Sequence, residues 1–174
     1  MPRRSELLAL ACALPSLVKA HGVDHPRRMT LDVSSSPARV MLGLTLPRAE
    51  STSTRRLFDR DRDGRLSEAE RGPLLRYLES KVWGGLRFAC DGREASPALA
   101  RTSLVGADDA KELELRIETT VPLAGGRCEM EDGGDTTGHL PVTLVGAGAM
   151  LDAPRVGAVW NIPARRPVRL SWSR

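Results

Sequence analysis

The sequence predicts an α+β fold: an antiparallel β-sandwich interrupted, after its second strand, by a helix–loop–helix insertion. Three observations lead there. At least six short segments alternate apolar and polar residues with a period of two, and turns rich in Pro, Gly, Ser and Asp separate them. One stretch, at about residues 50–82, changes to a helical period. Setting aside residues 1–20 as a leader leaves 154 residues, which suits a single domain, 21–174, with one core.

Met29 to Val33 (MTLDV) and Val40 to Leu46 (VMLGLTL) form the first two expected strands, joined by a turn at Ser34-Ser35-Ser36-Pro37. Gly84-Gly85 closes the helical insertion. Leu86 to Cys90 then returns to strand and turns at Asp91-Gly92. Leu99 to Val105 is a further strand. Leu113, Leu115, Ile117, Thr119 and Val121 alternate with charged or polar residues and give the longest strand pattern. Residues 124–138 (AGGRCEMEDGGDTTG) read as a polar, glycine-rich loop. Val142 to Val145, Gly157 to Trp160 and Val168 to Trp172 complete the set, with Trp160 and Trp172 expected to pack the interior. The arrangement resembles an immunoglobulin-like sandwich.

The densest chemical signal lies in the insertion. Residues 59–70 read DRDRDGRLSEAE and match the pattern D-x-[DN]-x-[DN]-G-x₅-E without a gap. Asp59, Asp61 and Asp63 occupy the first, third and fifth positions, and Gly64 the sixth, where the chain must turn sharply. Arg65 is seventh and would contribute its backbone carbonyl. Leu66 is eighth and free to enter the core. Ser67 is ninth, and Glu70, twelfth, can offer both carboxylate oxygens. A hard cation such as Ca²⁺ takes six to eight oxygens at roughly 2.3–2.6 Å, which alternate side chains around a tight turn can supply. The competing reading is a solvated Asp-rich turn, since Asp and Gly both favour turns.

On these residues the segment resembles an EF-hand, a calcium-binding helix–loop–helix. The likeness covers about residues 50–82. Leu57 and Phe58 precede the loop as an entering helix would. Leu74, Leu75 and Leu78 follow on one helical face, and Ser67 with Glu70 forms an S-x-x-E capping box. The resemblance implies Ca²⁺ as cofactor, held by Asp59, Asp61, Asp63, Arg65, Ser67 and Glu70. Arg60, Arg62 and Arg65 reduce five carboxylates to a loop charge of −2, which points to a weak site of about 10⁻⁴–10⁻³ M. Pro73 should kink or break the exit helix. A single loop argues against the opening switch of paired sensors.

The amino-terminal segment predicts export. Arg3 and Arg4 precede an apolar run, Leu7 to Val18, and Val18 and Ala20 prepare cleavage after Ala20, giving a periplasmic or secreted protein. A buried amino-terminal helix and a lipoprotein signal ending at Cys12 are the alternatives. The run is too short to span a bilayer, and no other segment is long and apolar enough. Cys90 and Cys128 remain as an even pair, either bridged or two buried thiols. The layout also resembles small exported bacterial proteins associated with transporter-like membrane proteins, which implies a membrane or envelope partner.

The formal charge is +4 and aromatics make up 3 %, so a dense basic patch interleaved with stacking rings, as nucleic-acid binding requires, is not expected. No GxSxG, HExxH or phosphate-cradling glycine loop is present, and no enzymatic site is expected. An alternative function is periplasmic copper or nickel handling through His21, which cleavage after Ala20 would make amino-terminal, with His25 nearby. Glu129, Glu131, Asp132 and Asp135 are acidic and close in sequence, but a solvated loop accounts for them better than a second cation site does.

Overall fold

In an extended chain, every second residue faces the same way, so Leu113, Leu115, Ile117, Thr119 and Val121 must share one face. In the computed structural model all five are buried, while Arg116 and Glu118 between them are exposed. The structure describes residues 27–98, 100–106, 112–124, 127–133 and 139–173. The leader, His21, His25, Cys12, Leu99 and Asp135 lie outside them.

The described strands are β1 (Arg27–Asp32), β2 (Ala38–Leu46), β3 (Leu86–Cys90), β4 (Arg93–Glu94), β5 (Arg101–Val105), β6 (Leu113–Val121), β7 (Cys128–Asp132), β8 (Leu140–Val145), β9 (Met150–Leu151), β10 (Arg155–Val156), β11 (Val159–Ile162) and β12 (Val168–Ser171). Helices α1 (Arg48–Phe58) and α2 (Glu68–Trp83) fall between β2 and β3. The strands make a seven-stranded sheet, ordered β10-β11-β8-β1-β2-β6-β5, and a five-stranded sheet, ordered β4-β3-β7-β12-β9. One buried cluster joins them: Leu31, Val40, Leu44, Leu115 and Ile117 from the larger sheet meet Phe88, Met130 and Leu170 from the smaller.

The structure departs from the sequence reading at three places. The larger sheet is not wholly antiparallel. β1 pairs with β8 in parallel, from Met29 opposite Val142 to Asp32 opposite Val145. Alternation with a period of two is the same in either chain direction, so the residue pattern carries no sign of this. The segment 124–138 is not only a loop, because its Cys128–Asp132 is β7, a central strand of the smaller sheet. Cys128, Met130 and Asp132 face inward, and a charged residue at the third inward position disguised the strand. Finally, α2 runs through Pro73 as one helix. The Ala69 carbonyl, whose usual i+4 amide partner Pro73 lacks, belongs to an exposed residue in the first turn, where water can satisfy it.

Asp132 explains its own burial. Arg27 of β1 donates to both its carboxylate oxygens, at 3.2 and 2.6 Å, tying the larger sheet to the smaller. The side chains are 6 % and 0 % exposed. The Cys90–Cys128 disulfide joins directly opposed positions of β3 and β7. It therefore staples one sheet internally, unlike the inter-sheet bond of antibody domains.

Helix α2 buries Leu74, Leu78 and Val82 at intervals of four and packs on β2 and β6. Each such side chain contributes about 1.5–3 kcal/mol by leaving water. Helix α1 is pinned by Ser51, which is fully buried. Its hydroxyl donates to the Leu46 carbonyl and accepts from the Leu113 amide, both at 2.8 Å. The helix pair is thus fixed to two adjacent strands of the larger sheet.

Breaking the buried ion pair should be expensive, because one charge would remain without its partner. Asp132→Ala is expected to lower unfolding free energy by about 3–5 kcal/mol, read from the urea midpoint, and Arg27→Met combined with Asp132→Leu should recover most of it. A loss below about 1 kcal/mol for the single variant would show that the pair does not join the sheets energetically.

Candidate metal centre

Helix α1 ends at Phe58, and Asp59 caps it by donating its amide to the Arg55 carbonyl at 2.8 Å. The chain then reverses through two residues in the left-handed region, Arg62 (φ 60°) and Gly64 (φ 82°). Gly64 suits that conformation because it has no Cβ, whereas Arg62 adopts it at a cost of about 1 kcal/mol or more. Leu66 drops into the core at 3 % exposure, and Ser67 starts α2. The loop is therefore held at both ends by helices and near its end by a buried leucine.

Within it, each aspartate commits one oxygen to folding the turn. Asp59 Oδ2 accepts from the Gly64 amide at 3.0 Å, Asp61 Oδ1 from the Asp63 amide at 3.2 Å, and Asp63 Oδ1 from the Arg65 amide at 2.7 Å. One carboxylate oxygen from each of Asp59, Asp61 and Asp63 lies within 4.8 Å of the other two. Asp59 Oδ1 is buried and receives no hydrogen bond among the described residues. A buried, unsatisfied carboxylate oxygen beside two further carboxylates is costly unless a cation joins them.

These oxygens fit calcium. Ligands about 2.4 Å from a common ion can stand at most about 4.8 Å apart, and the donors are all hard oxygens. Glu70 lies outside that 4.8 Å set. Its Oε2 accepts from the Ser67 amide (2.9 Å) and hydroxyl (2.7 Å), and its Oε1 accepts from the Arg60 amide, reaching back across the loop. Ser67 is occupied as the other half of this capping box. Arg65 is exposed, with its amide on Asp63. The expected first, third and fifth positions are thus gathered, while the ninth and twelfth are bonded to each other alongside.

Charge perturbation follows this geometry. At Asp61 the hydrogen bond from the Asp63 amide pulls the pKa down, but partial desolvation, the charges of Asp63 and Glu70, and the adjoining Asp59 carboxyl together hold it above its ordinary 3.8. Glu70 is held below its ordinary 4.5 by the Ser67 hydroxyl, then by the Arg60 and Ser67 amides, against burial. The two act oppositely on stability without metal. Glu70 stabilises the fold above its ordinary value, and this is lost as pH falls through the lowered one. For Asp61 it is the protonated form that the fold favours, and that gain disappears as pH rises through the raised value.

Among the described residues, the other acidic residues are not assembled into a site. The sheet register sets Glu131 opposite Arg87 and Glu129 opposite Arg169, and Asp132 is taken by Arg27. His139 is exposed. Sequence reasoning missed the left-handed Arg62, the Arg60 amide on Glu70, and the Arg71 Nε bond to the Leu66 carbonyl at 3.0 Å.

No protein-family model matches the chain, and a search of curated proteins finds no match.

Two outcomes follow. Arg62→Asn replaces a strained cation by a residue that tolerates the left-handed region, and calorimetry should show calcium binding tightened several-fold; unchanged or weaker binding would contradict this. Because Asp61 holds its proton more firmly than an ordinary aspartate, calcium affinity should begin to fall at a pH above 3.8, with proton release on binding there; a curve that turns only below 3.8 would remove the carboxylate cluster from the argument.

Proposed function

We propose that this is an exported, non-enzymatic calcium-binding protein whose EF-hand-like loop holds one Ca²⁺. Asp59, Asp61, Asp63, Ser67 and Glu70 would supply side-chain oxygens, and Arg65 its backbone carbonyl. The observation carrying this reading is the buried Asp59 Oδ1, without a hydrogen bond, inside a set of three carboxylates within 4.8 Å. The sandwich is proposed as immunoglobulin-like in the broad sense: two sheets between which the chain repeatedly crosses. Export after Ala20 and a partner in the membrane or envelope belong to the same proposal.

When bound, Ca²⁺ supplies positive charge and coordination. The chain's own residues do the rest. Ser51 and Leu66 fix the loop's two ends to the core, and the Gly64, Asp63 and Arg65 amides orient the aspartates. Neutralising mutual repulsion then favours the folded state. A weak site in millimolar Ca²⁺ would add about 1 kcal/mol, which fits a structural cofactor or a gate on a partner-binding surface.

Titration calorimetry with Ca²⁺, Mg²⁺ and Cu²⁺ tests the assignment. Wild type should give calcium heat, and Asp59→Ala and Glu70→Ala should each weaken it by about ten-fold or more. Calcium heat unaltered by both substitutions would remove the loop from the site.

A further inference from the structure

From the exposed outer side of the helix pair we propose that, once the loop is loaded, this surface docks on an anionic lipid bilayer. The proposal rests on the calcium reading and adds a partner to it. Leu57, at the end of α1, is 71 % exposed, and Tyr77 of α2 is 39 % exposed. Phe58, next to Leu57 in the chain and half-buried against the core, has its ring 5.5 Å from that of Tyr77, and the Lys81 ammonium lies 5.6 Å from the Tyr77 ring centre. The other exposed large apolar residues, such as Met41, Val105 and Met150, stand on separate strands.

Charge specifies the occupant. Arg56, Arg60, Arg62, Arg65 and Arg76 are all exposed near this cluster in sequence, and none is in a salt bridge among the described residues. Residues 48–83 carry nine Lys/Arg against seven Asp/Glu, a balance of +2 that a bound Ca²⁺ raises to +4. The change falls on the loop immediately after Phe58, whose −2 would otherwise repel a negative surface. An acidic peptide would also meet the charge, but peptides seat in grooves, whereas Leu57 protrudes. A protruding leucine, an exposed tyrosine and exposed arginines close by in sequence match the chemistry of a bilayer interface.

Co-sedimentation of the full chain with vesicles tests this, using phosphatidylcholine alone and mixed with phosphatidylglycerol, with and without Ca²⁺. Calorimetry on the same samples reports metal loading separately. Calcium should raise partitioning onto the anionic vesicles about ten-fold, higher salt should reverse it, and neutral vesicles should capture little. Leu57→Ser and Arg76→Ser should keep the calcium heat, while Leu57→Ser loses partitioning by about ten-fold. If loaded protein stays in the supernatant, if Leu57→Ser partitions like wild type, or if a soluble acidic helical peptide binds in place of vesicles, the bilayer proposal is overturned while the metal site stands. Absence of calcium heat in the wild type overturns the metal site, and calcium-dependent docking with it.

Discussion

Three carboxylates converge at the turn between two helices, and their repulsion must be balanced by whatever anchors that turn. The anchoring is visible on both sides. Upstream, the buried Ser51 hydroxyl bonds both β2 and β6. Downstream, Leu66 enters the core and α2 follows it with Leu74, Leu78 and Val82. Neither helix could hold the loop alone, because helices of eleven and sixteen residues have little stability away from a sheet. The aspartates are close because apolar burial several residues away leaves them little freedom to separate. Metal binding then acts against an electrostatic cost the fold already carries.

The framework below is specified by another charge, placed where charges are seldom found. Asp132 is fully buried, and its two bonds from Arg27 cross from one sheet to the other. A hydrophobic pair could pack as well, but an ion pair tolerates no slip in register without stranding a charge. The Cys90–Cys128 bridge fixes the adjoining strand pair. The two features together set the position of β7, the strand that the residue pattern conceals.

Much of the architecture was legible because period-two alternation survives in β2, β6 and β12, and because the loop from Asp59 to Glu70 spells its own geometry. What remained hidden has physical reasons. The parallel pairing of β1 with β8 depends on chain direction, to which alternation is blind. Cys128 to Asp132 reads as loop because its third inward residue is an acid, and only the distant Arg27 makes that burial tolerable. Pro73 forecast a kink or a break, yet the helix is not interrupted there, since the carbonyl it deprives of a bond belongs to the exposed first-turn Ala69. At the site, spacing found the aspartates, yet could not reveal that Glu70 is engaged by Ser67 and Arg60.

The relation between Glu70 and the aspartates is the point on which the account turns. An anomalous difference map from crystals soaked in calcium addresses it without reference to affinity or stability. The account requires one peak about 2.3–2.6 Å from oxygens of Asp59, Asp61, Asp63 and Glu70, with the Arg65 carbonyl completing the shell. A map with no density there, and Glu70 still bonded to Ser67 and Arg60, would contradict it.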